Sequence, residues 1–150
     1  MNQALKYFLL LSVFALTISS CEEDEYGDWK TLNEQWLATH QNDEGFTRTE
    51  SGLCYKIIHQ GYMRYPNSSS IIDVTFEGKM IDGTVFDSGR YYNYLSSTVK
   101  GWQEGLKLMR GGARFIFYVP SELGYGEDGV SDIPPYSTLI FDVTLNYSEQ

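Results

Sequence analysis

Basic residues are scarce in this chain. Eleven Lys and Arg stand against 20 Asp and Glu over 150 residues, a net charge of −9. That balance argues against a nucleic-acid surface, whose phosphates need cations, and it leaves no basic patch for anionic lipid headgroups. Histidine is scarcer still: His40 and His59 are the only two, they sit in no metal-ligand spacing, and no metal site is expected. The serines carry no Ser-His-Asp pattern, and Gly124-Tyr125-Gly126 follows neither the phosphate-loop nor the dinucleotide arrangement. Internal repeats are absent. The apolar run from Tyr7 to Ile18 falls short of the roughly 20 residues a spanning helix needs.

That run has the length of a signal-peptide core, preceded by Lys6 as a weak basic region and followed by small residues. Ile18-Ser19-Ser20-Cys21 resembles the bacterial lipobox, which implies a signal peptide over residues 1–20 and lipidation, palmitate included, at Cys21. More than one acyl chain, at about 0.8 kcal/mol per buried CH₂, would anchor the protein to a membrane without spanning it. Glu22-Glu23-Asp24-Glu25 reads as a solvated tether over 21–28, and also resembles the surface-export signal of Bacteroidota lipoproteins. Removing Lys6 with the leader moves the net charge from −9 to −10. With Cys21 lipidated, Cys54 has no disulfide partner, and its strand-like setting suits a small buried hydrophobe.

One domain fits this length. Trp29, Leu32, Trp36 and Leu37 fall on one stripe of a short helix with Asp28 as its cap, and His40 to Ser51 reads as a loop, so 29–50 forms a helical arm. The arm packs on the domain or offers its tryptophans to a partner. A first strand is expected around Leu53 to Ile58 and a second over Ile71 to Met80. Asp82-Gly83 then turns a hairpin into Thr84 to Asp87. Gly101 to Met109 allows only a short helix, because Gly105 interrupts it and Gly111-Gly112 stop it. Phe115, Phe117 and Val119 alternate along one strand, and Leu139, Phe141, Val143 and Leu145 along the last. Short strands, hairpin turns and one brief helix predict an antiparallel α+β domain over 51–150.

The second half also carries a series of small motifs. Phe76 lies in V-T-F-E-G, and Phe86-Asp87 close D-G-T-V-F-D. Val99 and Trp102 sit in V-K-G-W-Q-E-G, Tyr125 in L-G-Y-G, Ile133 in D-I-P-P and Phe141 in L-I-F-D-V. Singly, Trp102, Phe86, Val99 and Phe141 read as core residues, Asp87 as a turn residue, Tyr125 as a loop aromatic and Ile133 as part of a rigid extended segment. Their order together resembles the FKBP-type peptidyl-prolyl isomerases over about residues 50–147, first strand included.

The resemblance implies a twisted antiparallel sheet of about five strands wrapped on one short helix. It implies peptidyl-prolyl cis-trans isomerase activity without a cofactor, on proline-containing unfolded or extracytoplasmic proteins, with macrolide-type inhibitors as ligands. Trp102 would floor the proline pocket, with Phe86, Val99 and Phe141 as walls, Phe76 on the first pocket strand and Ile133 on the rim. The Tyr125 hydroxyl and the Val99 N–H would each donate to a substrate carbonyl, and Asp87 would be the polar side chain near the twisting amide. Three departures stand out. Phe76 replaces a family tyrosine whose hydroxyl would meet Asp87; Tyr91, Tyr92 and Tyr94 compete for one further aromatic wall; and the loop Glu127 to Asp132 differs from the best-known members. The alternative is a non-catalytic binding module on a membrane lipoprotein. In either case the lipid anchor places the domain in the cell envelope, facing the periplasm or the surface.

Overall fold

Two glycines four residues apart decide how the one helix inside the domain meets the sheet. In a computed structural model, which describes residues 26–149, α2 (Lys100–Gly105) lies directly on β5 (Arg114–Val119). A Cβ at Gly101 would come within 2.6 Å of Val119, and one at Gly105 within 2.7 Å of the Phe117 ring. Only glycine permits that approach, and the helix continues as a single 3₁₀ turn, Leu106–Leu108.

The sheet has six antiparallel strands in the order β1-β2-β5-β6-β3-β4. They are β1 (Phe46–Arg48), β2 (Cys54–His59), β3 (Ile71–Lys79), β4 (Val85–Tyr94), β5 and β6 (Leu139–Glu149). The α+β expectation and the short wrapped helix are what the chain adopts. The sixth strand is β1, inside the segment read as a loop: three residues pair with the first half of β2, too short for an alternating pattern to reveal. The hairpin return also runs on to Tyr94, well beyond Asp87, because β3 supplies a partner along its whole length.

Alternation sorts the side chains as the sequence implies. Phe115, Phe117 and Val119 from β5, and Leu139, Phe141, Val143 and Leu145 from β6, are buried under α2 beside Leu106, Met109 and Trp102. Two register shifts interrupt the pairing of β3. Against β6 the extra residue is Asn146, whose Nδ2 donates to Asp73 Oδ1 at 2.8 Å and to Thr75 Oγ1 at 3.0 Å. Against β4 it is Phe86, beside Asp87. Such bulges bend a strand and re-aim a side chain.

The opposite face of the sheet is covered by α1 (Gly27–His40). Trp36, Leu37 and Phe46 pack on Cys54, Tyr118 and Ile140, with the Phe46 and Tyr118 rings stacked at 4.4 Å. Trp29 Nε1 donates to Ser137 Oγ at 2.9 Å. Asn33, 1% exposed, accepts the Thr138 N–H at 2.7 Å and donates to the Trp29 carbonyl at 2.8 Å. Both tryptophans thus engage the domain, each remaining partly exposed. The expected stripe needs one correction: Leu32 is exposed and Asn33 takes its place against the domain, because the contact is a polar loop that needs hydrogen bonds. Asp28 does not cap the helix either. Tyr26 occupies the cap position, and Asp28 sits in the first turn, where its charge complements the helix dipole. The leader over 1–20, Cys21 and the acidic residues 22–25 lie outside the described residues. Among those described, no helix is long and apolar enough to cross a membrane.

Asp73 is the buried charge of the fold, 1% exposed and held by a bidentate bond from Arg90. That hydrogen bond, with lesser help from Asn146 and Tyr147, lowers its pKa to about 2. A depressed carboxylate pKa contributes stability that is present above the unfolded value near 4 and is lost as pH falls through about 2. Urea midpoints measured from pH 6 to 2 should therefore fall between about pH 4 and 2, with a shallower fall in Asp73→Asn, which is less stable throughout. Gly105→Ala tests the helix seat. Helix propensity favours alanine by about 1 kcal/mol, but overpacking against the fully buried Phe117 ring costs about 1–3 kcal/mol. Net destabilisation, read as a lower urea midpoint at unchanged m-value, is expected.

Candidate functional site

Trp102 follows directly from the glycine-seated helix. With Gly101 and Gly105 turned to β5, the indole enters the space between α2 and the inner faces of β3, β4 and β6, where it is 5% exposed. Three rings meet it nearly edge-on: Phe76 at 5.1 Å, Phe141 at 5.2 Å and Tyr91 at 6.1 Å between centroids. Phe86, brought inward at the bulge, meets Phe141 at 5.5 Å and 89°. Gly78 makes that possible, since a Cβ there would lie 2.6 Å from the Phe86 ring and 2.9 Å from that of Phe141. The result is an open, aromatic-walled pocket of about 300 Å³.

The polar groups stand on its rim. Val99 precedes the first turn of α2 in an extended conformation, and its carbonyl accepts the N–H groups of Trp102 and Gln103 at 3.0 Å each. No hydrogen bond found among the described residues uses the Val99 N–H. Gln103 Nε2 donates to the carbonyls of Thr98 (2.7 Å) and Ser96 (3.3 Å), and the Thr98 hydroxyl donates to the Leu95 carbonyl at 2.7 Å. These bonds hold the rim segment still. Asp87 is exposed, and its Oδ1 accepts the adjacent Ser88 N–H at 2.8 Å. Phe76 offers it no hydroxyl, in keeping with a carboxylate that stays in water instead of being buried. Tyr125, 38% exposed, has its phenol pKa raised by burial first and by the Asp87 charge second, so it remains a protonated donor at neutral pH. The Trp102 indole N–H is the one buried side-chain polar atom without a partner among the described residues. Leaving such a donor unmet costs about 1–3 kcal/mol, and such atoms call for a reason. Its place at a pocket wall supplies one.

Phe76, Phe86, Asp87, Val99, Trp102, Tyr125 and Phe141 thus all line one pocket. Ile133 does not; it is buried beside a smaller cavity that shares Phe86, Asp87 and Tyr125. Of the three competing tyrosines, Tyr91 lines the pocket, while Tyr92 and Tyr94 are 54% and 52% exposed. Ser97 and Thr98 also line it and were not anticipated; small hydroxyl residues beside a valine carry no signal of their own. Cys21 lies outside the described residues. Cys54 is fully buried, and burial raises its thiol pKa against a weaker pull from Arg48. Among the described residues no group of three His, Cys, Asp or Glu is placed to hold a metal. A larger cleft, about 410 Å³ between α1, the end of β1 at Arg48 and the turn at Ser121, lacks the convergent aromatic rings of this pocket.

Residues 63–146 match the family model described as FKBP-type peptidyl-prolyl cis-trans isomerase. The chain belongs to that family. The probable FKBP-type isomerase FkpA of Neisseria meningitidis is 42% identical over 122 residues, covering 77% of this chain and 45% of that protein. The FKBP-type 22 kDa isomerase of Escherichia coli is 40% identical over 117 residues, covering 74% of this chain and 57% of that protein. The crystal structure of FkpA from Escherichia coli superposes with a TM-score of 0.81 at 29% identity, covering 99% of this chain and 74% of the other. The chain spans about half the length of the curated relatives it matches.

Because Asp87 contributes only the second cause of the Tyr125 shift, Asp87→Asn should lower the phenol pKa part of the way toward 10. A ring-carbon NMR titration of tyrosine-labelled protein reads this directly. An unchanged Tyr125 midpoint would show that the two groups do not sense each other.

Proposed function

We propose that this FKBP-family domain accelerates cis–trans rotation about X–Pro bonds in extracytoplasmic proteins. The observation that carries the reading is the aromatic pocket around Trp102, with polar groups confined to its rim. The barrier to amide rotation is about 18–20 kcal/mol, and the uncatalysed reaction takes tens to hundreds of seconds. No nucleophile is needed. The planar amide owes its rigidity to charge-separated resonance, which water favours. An apolar pocket that excludes water weakens that preference, and hydrogen bonds aimed at the twisted state lower its energy further.

In this reading the prolyl ring rests against Trp102 between Phe86, Phe141, Phe76 and Val99, with Tyr91 as the further aromatic wall. The Tyr125 hydroxyl donates to one carbonyl and the Val99 N–H to another. Asp87 places a negative charge at the mouth, near the turning amide. Apolar walls favour an apolar residue before proline. Lipidation at Cys21, after removal of residues 1–20, would tether the domain to an envelope membrane by way of residues 21–28, with 29–50 as its packed arm. Macrolide-type inhibitors would enter the same pocket.

A second reading has one specific observation in its favour. Asp87 is exposed and Phe76 lacks the family hydroxyl, so the pocket would serve as a binding module that holds proline-containing segments without turning them. Isomerase assays on the purified full chain separate the two. Acceleration of an apolar-X-Pro peptide is expected, falling about tenfold or more in Trp102→Leu and Asp87→Ala, each tenfold corresponding to about 1.4 kcal/mol of transition-state preference. A folded protein that binds such a peptide and leaves its rate unchanged would establish the module instead.

A further inference from the structure

Beside the main pocket lies a second cavity of about 170 Å³, reached across Phe86, Asp87 and Tyr125, which line both. Its far wall is the turn Val130 to Ile133. That turn is closed by two backbone bonds, Val130 N–H to the Ile133 carbonyl at 3.0 Å and Ile133 N–H to the Val130 carbonyl at 2.9 Å. Gly129 lets the turn fold back on itself, because a Cβ there would lie 2.3 Å from the Ile133 carbonyl oxygen. The cavity therefore has a held wall, and Val130, Ile133 and Phe86 all line it.

Its charge has one sign. Asp87 and Asp132 both line it, and no Lys or Arg lines either cavity. Neither of the chain's two ion pairs among the described residues, Arg90 with Asp73 and Arg114 with Asp142, involves them. One Asp87 oxygen is engaged by the Ser88 N–H, and both side chains are exposed. Apolar walls with carboxylates at the mouth match a side chain with a long alkyl stem and a cationic head.

We propose that this second cavity is a specificity subsite for a lysine or arginine next to the proline. The stem lies along Phe86, Val130 and Ile133, and the head reaches Asp132 and Asp87. The inference rests on the reading of the main pocket as the proline seat, and it refines the apolar preference. What the subsite takes from an apolar side chain is the stem; what it adds is the charge.

The test uses the full chain and labelled peptides in which lysine, norleucine or glutamate stands immediately before or after the proline. Affinity is read by fluorescence anisotropy at low salt and turnover by an isomerase assay. Norleucine matches the lysine stem and lacks its charge. At one of the two positions lysine should bind about two- to fivefold more tightly than norleucine, with glutamate weakest, as expected for exposed ion pairs. The lysine-to-norleucine ratio should approach 1 in about 0.5 M salt and in Asp132→Asn. Asp132→Lys should turn the preference toward glutamate. Equal affinity for lysine and norleucine at both positions would overturn the subsite, as would a preference that survives Asp132→Asn. Binding with the expected ratio but no acceleration of any peptide would sink the isomerase reading and leave the subsite standing.

Discussion

The close seat of α2 on β5 is the contact on which the rest of the domain depends. Gly101 and Gly105 bring the helix backbone against Val119 and Phe117, closer than any side chain would allow. That approach sets the depth at which Trp102 enters the domain, and Trp102 in turn is the ring that Phe76, Tyr91 and Phe141 meet edge-on. A helix held one side-chain layer further out would leave a void between these rings and the core, and close-packed interiors do not tolerate voids. Glycine weakens a helix in isolation. Here that local cost is met by the tertiary contact it permits.

The same economy of space recurs on the other side of the pocket. Gly78 on β3 leaves room for Phe86 and Phe141 to meet edge-on, and Phe86 is itself the extra residue of the bulge in β4. The pocket is thus made by what is missing at three glycines as much as by its aromatic lining. Its electrostatics follow from exposure. Asp87 stays in water, whereas Tyr125, half out of water beside it, is kept protonated by burial and by that neighbouring charge. The one buried side-chain polar atom left unmet among the described residues, the Trp102 indole N–H, belongs to a residue that lines the pocket.

The N-terminal arm solves a different problem. A sheet has two faces, and α2 covers only one. Cys54, Tyr118 and Ile140 would be exposed on the other without Trp36, Leu37 and Phe46. Asn33 anchors the arm through the Thr138 N–H, and Trp29 through Ser137, so the arm is registered by hydrogen bonds as well as by apolar contact.

Local pattern determined much of this protein. The alternation in β5 and β6, the Asp82-Gly83 turn and the glycine-limited helix follow from side-chain period and backbone freedom, properties that each segment carries alone. Of the motif residues from Phe76 to Phe141, seven line one pocket and Ile133 does not. Tyr91, Tyr92 and Tyr94 stayed in competition for one wall, although neighbours along a strand face opposite ways. Which of those faces is inward was decided by pairing: Tyr91 stands opposite the buried Val74, and Tyr92 opposite Asp73 on the other face. Tertiary contact alone likewise made β1 a strand, exchanged Leu32 for Asn33 in the arm, and set Ile133 beside a neighbouring cavity. Each of these depends on what a residue meets from a distant part of the chain, and no short window of sequence contains both partners.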